Sequence, residues 1–583
     1  MLSSRHISKI TIALISAVLI LCILAMTFYD KLLPVVNTSG YSMEYQDKLF
    51  DTSEVLNIDI VMDNAKWNEM LKNATQEVYY ECDVIINGTT FKQVGIRPKG
   101  NTSLSSIAND PDNNRYSFKL EFDQFVDGQT CFGLDKLVLN NSYADTTNMK
   151  EAIVYDMFRF LDADASLYNY AKISVNNEYW GVYLALEAVE DSFMLRNYGM
   201  NKGYLYKPDS MNFGGNNDDK KSSGNNFPTP PEGTFQMPES FEKTGGGMPQ
   251  IPNSGNRSKN AEENNKQKNE AIKDNTLSPP ESEKQSSDKR SFSGSGERMG
   301  RGGFPGGMGG GGNLNYTDDS LDSYGTIWNG AVNDSSDADH KRVVEALKNI
   351  HNRTGIEKYI DIDQVLKYMA VHNFSVNDDS LSGSMAHNYY LYEADGQISI
   401  LPWDYNLALG GMNGGDATSI INEPIDDLWR GTNLLDFVLQ NEEYKARYHE
   451  YYNKLVNEYL YGGKFEETFN RIRTQIDSLV ETDPNSMYTY EEYLKGAQVL
   501  YDAVMLRAES IKGQLEGTIP STADGQSTDS SKLIDASHLN LSDLGQFMMG
   551  GGGGFGGNKG GNRQMPGNNS TANQQESDVP KQE

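Results

Sequence analysis

The feature that most constrains this fold is a long interior segment whose composition cannot form a core. Residues 210–315 consist largely of Gly, Asn, Pro, Ser, Lys and Glu, and end in GRGGFPGGMGGGGNLN. Such a segment buries too little apolar surface to offset its chain entropy, so we expect it to be disordered. The same reasoning predicts a disordered Gly-rich tail at residues 518–583. The parts of the chain that can pack are therefore two blocks, residues 54–209 and 316–517.

The two blocks differ in their hydrophobic periodicity. The first contains alternating, aromatic-rich runs such as VYYECDVIING and YSFKLEF, which predict strands, with one amphipathic helix in TTNMKEAIVYDMFRFLD. The second contains helical patterns such as HKRVVEALKNI, around a two-stranded pattern in NYYLYEADGQISILPWDY. Because each block looks incomplete alone, we predict one α+β, two-lobed domain, with a strand-rich N-lobe and a helix-rich C-lobe, interrupted by a long surface loop.

An uncharged apolar run precedes the first block. Residues 10–29 read ITIALISAVLILCILAMTFY, which is long enough for a helix to span a bilayer. Arg5 and Lys9 precede the run and Asp30 follows it, so the positive-inside rule places residues 1–9 in the cytoplasm and the bulk of the chain outside. We predict a single-pass transmembrane signal anchor followed by a linker at residues 30–53, with cleavage and secretion as the alternative.

Charge and cysteine content narrow the remaining possibilities. The chain has 81 acidic and 51 basic residues, a formal net charge of -30, and no basic stripe in the blocks that can fold. This balance argues against nucleic acid as a partner. Cys22 lies in the apolar run. Cys82 and Cys131 could form one disulfide in an oxidising compartment or remain buried thiols.

A group of oxygen-bearing side chains surrounds the two-stranded pattern in the second block. Asp378 and Asp379 follow a predicted helix, Asn388 enters the first strand, and Asp404 ends the second strand. A hairpin that turns at EADGQ would bring Asn388 and Asp404 together at its open end. Such oxygen ligands suit Mg²⁺ or Mn²⁺, and a further acid could take a proton from a hydroxyl nucleophile. The same residues also suit an ordinary turn.

Basic residues in the first block suggest a phosphate site. The sequence VGIRPKGNTSL predicts a turn that carries Arg97 and Lys99, where Gly100 would allow a phosphate to approach closely. Lys119 lies inside an apolar strand. It either points to solvent or faces a partner acid, for which Glu151 on the following helix is the expected choice. Glu187 interrupts a later apolar strand, either as an exposed residue or as a marker of the hinge beside a nucleotide base.

These parts follow the order found in a protein kinase, and their sequence motifs resemble those of the CotH family of spore-coat kinases. The resemblance rests on GIRPKGNTSL, SFKLEF, SYADTTNMKEAIVYDMF, NNEYWGVYLALEAVE, DSLSGSMAHNYYLY and LPWDYNLALGG. It implies that Lys119 contacts the nucleotide phosphates and that Glu151 holds Lys119. It also implies that Arg97 and Lys99 lie over the phosphates.

The resemblance also implies roles in the second block. Asp379 would be the catalytic base, although Asp378 is the alternative, and Asn388 and Asp404 would ligate Mg²⁺. The interval from Asp379 to Asn388 is longer than in ordinary kinases, and Tyr405 replaces the Phe that follows the metal-binding aspartate there. The basic turn also lacks the full Gly-rich pattern of those enzymes.

The implied activity is transfer of the ATP γ-phosphate to Ser or Thr of surface or spore-coat proteins. The serines of QSSDKRSFSGSGERMGR in the insert would be possible substrates within the chain itself. The alternative is a catalytically inactive, surface-anchored coat or adhesin-type binding protein that keeps the kinase-like fold. A phosphate transferase acting on a glycan or a small molecule is a third reading of the same site.

Overall fold

The computed structural model describes residues 41–199, 203–208, 312–412 and 415–547. All four ranges belong to one compact unit. Within these ranges no helix combines the length and the apolar character needed to cross a membrane. The predicted span at residues 10–29 and most of the predicted insert lie outside the described residues.

The first part of the described chain is built on a closed β-barrel. The strands follow one another around it in the order β1-β2-β3-β4-β5-β7-β6, and the parallel pairing of β1 with β6 closes it. Their bounds are β1 Leu56–Val61, β2 Tyr80–Ile86, β3 Thr89–Lys99, β4 Ser117–Glu121, β5 Lys136–Asn140, β6 Tyr168–Val175 and β7 Glu178–Glu187. The first five helices lie around and after it: α1 Glu44–Leu49, α2 Asn64–Lys72, α3 Thr102–Ala108, α4 Lys150–Phe160 and α5 Asp191–Tyr198.

Strand β4 shows how alternation divides the barrel into a core face and a polar face. Phe118 and Leu120 are fully buried in the cluster that fills the barrel. Lys119 lies between them and therefore points to the opposite face. On that face its neighbours across the strands are Arg97 on β3 and Val138 on β5. Two basic side chains, Arg97 and Lys119, therefore lie side by side on this face of the barrel wall.

The second part of the described chain is mainly helical around a small antiparallel sheet in the order β10-β9-β8. The sheet strands are β8 Tyr204–Tyr206, β9 Tyr389–Ala394 and β10 Gln397–Pro402. The helices are α6 Gly325–Asn329, α7 Asp337–His351, α8 Ile356–Tyr359, α9 Ile362–Ser375, α10 Ala417–Ile421, α11 Asp436–Gln440, α12 Glu442–Lys454, α13 Lys464–Glu481, α14 Tyr490–Glu516 and α15 Ala523–Thr528. A π-helical turn, Leu455–Leu460, follows α12 directly. This arrangement confirms the predicted α+β class.

Buried polar contacts join the barrel to the helices. Arg115 Nη1 lies 2.6 Å from Asp483 Oδ2, and both side chains are almost fully buried. The same carboxylate oxygen accepts a hydrogen bond from the backbone N–H of Val182 on β7. Asp156 on α4 accepts hydrogen bonds from Tyr168 of the barrel and from Tyr459 of the π-helical turn. These contacts fix the barrel against the C-terminal helices.

Two segments that the sequence analysis placed outside the folded blocks are packed. In the predicted linker, α1 buries Tyr45 and Leu49 completely, because their side chains enter the barrel core. The prediction of disorder from residue 518 onward is wrong for residues 518–547. Within that segment Ala536 and Leu544 are buried in the main core, and Phe547 N donates a hydrogen bond to Gly411 O. Few apolar residues are enough to order this segment, because they pack against a core that the rest of the chain forms.

The two cysteines in the described residues are separate and buried. Cys82 and Cys131 are both free thiols. Burial, reinforced by nearby acids, raises the pKa of Cys82 to about 12. These thiols are therefore apolar core residues with little thiolate character.

Candidate functional site

The candidate site begins at the open end of the β9–β10 hairpin. The register pairs Tyr389 with Pro402, so Asn388 and Asp404 lie just beyond the paired ends of the two strands. Both residues adopt a left-handed backbone conformation, with φ of 55° at Asn388 and 64° at Asp404. Asn and Asp tolerate this conformation better than most residues. The predicted hairpin therefore forms and ends in two polar residues.

Asp379 meets this end of the hairpin. Its Oδ1 lies 2.8 Å from His387 Nε2, and its Oδ2 accepts a 3.1 Å hydrogen bond from Asn388 Nδ2. Burial raises the pKa of Asp404 and the charge of Lys99 opposes this rise, while the charge of Asp379 makes a smaller contribution that raises it further. For Asp378, burial raises the pKa, and the charge that opposes this rise belongs to Arg430 and not to the groups around Asp404. The geometry therefore favours Asp379 over Asp378 as the acid of the site.

His372 on α9 packs against the loop that carries Asp379. His372 on α9 contacts Ser382 Oγ at 2.7 Å and Ser380 Oγ at 3.1 Å, and burial lowers the pKa of His372 to about 3. The imidazole is therefore neutral. A side chain at Gly383 would place its Cβ 1.8 Å from the carbonyl oxygen of Asp378, so the loop closes tightly on itself there. These contacts hold Asp379 in one position.

Lys99 approaches the same site from the barrel. Its Nζ donates a 2.9 Å hydrogen bond to Asn140 Oδ1, and Asn140 Nδ2 donates a 2.9 Å hydrogen bond to Glu151 Oε2. The other oxygen of Glu151, Oε1, is buried and has no hydrogen-bond partner among the described residues. Lys99 also lies over the ring of Trp403, at 5.6 Å from its centroid. Lys99, Asn140 and Glu151 therefore form one polar chain beside Asp404.

The pKa values show strong electrostatic coupling between these groups. Burial lowers the pKa of Lys99 to about 8, against the opposing charge of Asp404. Burial, and then the charge of Asp404, raise the pKa of Glu151 to about 8. Burial also raises the pKa of Asp404, and Lys99 opposes that rise. Perturbed groups gathered in one place are typical of functional sites.

Lys119 has a different partner from the one predicted. Its Nζ lies 2.6 Å from Glu190 Oε1, and Lys136 contacts the other oxygen of Glu190. Burial alone would raise the pKa of Glu190, but the charges of Lys119 and Lys136 outweigh burial and hold it at about 2. The prediction that Glu151 holds Lys119 is therefore wrong. Strand alternation places Lys119 on the expected face, but Glu190, just after β7, reaches it instead.

Two other predicted nucleotide contacts are engaged within the protein. Arg97 forms an ion pair with Glu77, and its guanidinium lies 5.3 Å from the centroid of the Tyr79 ring. Glu187 is fully buried: its carboxylate accepts hydrogen bonds from Tyr45 and Arg196. The prediction of Glu187 as a side chain beside a nucleotide base is therefore not supported, because its oxygens tie α1 and α5 to the barrel.

Sequence reasoning missed four residues of this region. His387, Asn140 and Glu190 contact predicted site residues directly, and Lys207 lies 5.5 Å from the Trp403 ring centroid. His387 immediately precedes Asn388, so its position gave a signal that could have been used. Lys207 ends the apolar run GYLYK, where the composition changes. No local pattern marks Asn140 or Glu190, since only the strand register brings them to the lysines.

The chemistry of the donor set suits a divalent cation bound together with phosphates. The described residues contain no cluster of three His, Cys, Asp or Glu side chains that would cage a metal by themselves. Mg²⁺ usually takes one or two carboxylates, with substrate phosphates and water completing its shell. Asp404, the amide of Asn388 and the unpartnered oxygen of Glu151 fit such a partial set of hard oxygen ligands. The residues therefore fit a magnesium–nucleotide site.

An α+β protein that gathers Asp379, Asn388, Asp404 and a buried lysine at one place has the parts of a kinase-class phosphoryl-transfer protein. The comparison with family models agrees. The chain matches the model described as CotH kinase protein over residues 96–278 and 311–511, more than half of its length. The protein belongs to the CotH kinase family. Comparison with curated proteins gives no match.

Proposed function

We propose that the protein is an ATP-dependent kinase that transfers the γ-phosphate to Ser or Thr hydroxyls of surface or spore-coat proteins. The observation that carries this proposal is the convergence of Asp379, Asn388 and Asp404 at the open end of the β9–β10 hairpin, beside Lys99 of the barrel. In this proposal the barrel and the helical part serve as the two lobes of a kinase-like fold, with the site between strand ends of both.

Asp379 is the proposed base of the reaction. Its carboxylate is held by His387 and Asn388, and these bonds orient it without removing its capacity to accept a further proton. The acceptor oxygen forms a bond to the γ-phosphorus, the bond from phosphorus to the ADP oxygen breaks, and the hydroxyl proton passes to Asp379. Little covalent help is needed, so positioning dominates the contribution of the protein.

Asp404 and Lys99 are the proposed electrostatic partners of the phosphates. Magnesium or manganese, when bound, would neutralise charge that develops on the phosphate oxygens. Asp404 and Asn388 would hold that cation, and Lys99 would bind phosphate oxygens. Asn140 and Glu151 would keep Lys99 in place through their hydrogen bonds. This assigns to Lys99 the central role that the sequence assigned to Lys119.

The proposed location is extracytoplasmic, with one N-terminal helix in the membrane. This rests on the apolar run at residues 10–29 and on the charges beside it. The proposed protein substrates include coat or surface proteins and the serines of the insert. The high negative charge of the chain argues against a nucleic-acid partner.

The test is phosphate transfer from γ-labelled ATP with Mg²⁺ or Mn²⁺ to coat proteins and to the protein itself. We expect label on Ser and Thr with the wild type, and a loss of at least about 100-fold in Asp404→Asn and in Asp379→Asn. Asp378→Asn is the matched control, because Asp378 is adjacent in the chain but feels the charge of Arg430 instead of that of Lys99, and it should keep most activity. Folded Asp404→Asn protein that labels as well as wild type would overturn the proposal. Folded wild-type protein that binds no nucleotide would favour the alternative, a catalytically inactive binding protein.

A further inference from the structure

Lys207 stands at the end of β8, and its backbone is firmly placed. Its N–H donates a 2.7 Å hydrogen bond to Gly330 O, and a neighbouring bridge pairs Tyr206 with Ala331. A Cβ on Gly330 would lie 2.1 Å from the carbonyl oxygen of Lys207, so the two chains are in close contact there. Leu205 and Tyr206 are fully buried just before it. The position of Lys207 is thus set by the core of the helical part.

The side chain of Lys207 reaches the candidate site. Its Nζ lies 5.5 Å from the Trp403 ring centroid and 5.6 Å from that of Tyr390. Lys99 Nζ lies 5.6 Å from the same Trp403 ring. Two ammonium groups, one from the barrel and one from the small sheet, therefore share one indole next to Asp404.

Two like charges around one ring repel each other. The charge of Lys207 accordingly contributes to the lowered pKa of Lys99. A bound polyanion that lies between the two lysines would relieve the repulsion.

We propose that Lys207 is a second phosphate-binding lysine, which together with Lys99 holds the β- and γ-phosphates of the nucleotide from opposite parts of the fold. The inference rests on the proposed nucleotide-dependent function. It adds a phosphate-binding residue that lies shortly before the insert in the sequence. Because Lys99 belongs to the barrel and Lys207 to the helical part, the phosphates would bridge the two parts.

The experiment measures binding of Mg–ATP and of AMP to the full chain by calorimetry, in wild type, Lys207→Met and Lys207→Arg. We expect Lys207→Met to weaken ATP binding about 10- to 100-fold, the usual range for one lost charged hydrogen bond, and to change AMP binding by less than about twofold. AMP lacks the β- and γ-phosphates. Lys207→Arg should restore most of the ATP affinity. Lys172→Met is the matched control, since Lys172 also lies over a tyrosine ring, 5.4 Å from that of Tyr179, but on β6.

The outcomes separate this inference from the proposed function. Unchanged ATP affinity in folded Lys207→Met overturns the inference, and so does an equal loss of ATP and AMP affinity, which indicates a structural role. If Lys207→Met weakens the binding of ATP but not of AMP, and the wild type still transfers no phosphate, the kinase proposal is overturned and the assignment of Lys207 stands. Wild-type protein that binds no Mg–ATP overturns both.

Discussion

The ion cluster around Glu190 gives a stability prediction with a worked magnitude. Glu190 lies between Lys119 and Lys136, and these charges lower its pKa from the ordinary value of 4.5 to about 2 in the folded protein. At about 1.4 kcal/mol for each pH unit, this difference corresponds to about 3 kcal/mol of folding stability. The side chain is 16% exposed, so solvent screens the interaction only in part. Replacing the carboxylate by an amide in Glu190→Gln should remove this contribution.

The pH dependence follows from the direction of the shift. A carboxyl whose folded pKa is depressed contributes its full stability above its unfolded pKa and loses that stability as pH falls toward the folded pKa. The unfolding free energy of the wild type should therefore exceed that of Glu190→Gln by about 3 kcal/mol at about pH 7 and by about 1 kcal/mol at about pH 3. A pH-independent offset from the two buried lysines adds to both values.

Urea unfolding followed by far-UV circular dichroism measures this difference at each pH. The control is Glu509→Gln, since Glu509 is an exposed glutamate in α14 and should cost less than about 0.5 kcal/mol at every pH. A wild-type advantage that stays constant between about pH 7 and about pH 3 would refute the reasoning. It would mean that the lysines do not hold Glu190 ionised in the folded state.

Two further predictions concern Lys99 and the contact between the parts of the fold. Because burial lowers the pKa of Lys99 to about 8, kcat/KM for ATP should fall as pH rises through that value. In Lys99→Arg the fall should move to higher pH, since arginine stays charged. An identical pH profile in both proteins would contradict the assignment of Lys99. Asp483→Asn should lower the unfolding free energy by about 3 to 5 kcal/mol, because it leaves the charge of Arg115 buried without its counter-ion. Lys348→Met, which breaks an exposed ion pair with Asp319, should cost less than about 1 kcal/mol in the same urea assay, and equal losses in the two variants would argue against the burial of Arg115.

Much of the local structure could be predicted from the sequence. Alternation predicted strands in the first block, and the turn EADGQ predicted the hairpin that brings Asn388 and Asp404 to the same end. Both signals are short-range, because side-chain periodicity and turn chemistry are properties of a few neighbouring residues. The packed segment at residues 518–547 escaped prediction because its few apolar residues are stabilised by a core built elsewhere.

The sequence by itself determined which residue types were available: lysines on apolar strands, acids and an amide at strand ends, and the motifs shared with the CotH kinase family. The tertiary structure alone decided which of them meet. Lys119 pairs with Glu190, and Asn140 links Lys99 to Glu151, because strand register and barrel closure bring together residues distant in the chain. Charge pairing in a buried site depends on distance and desolvation, and neither is encoded in spacing along the sequence.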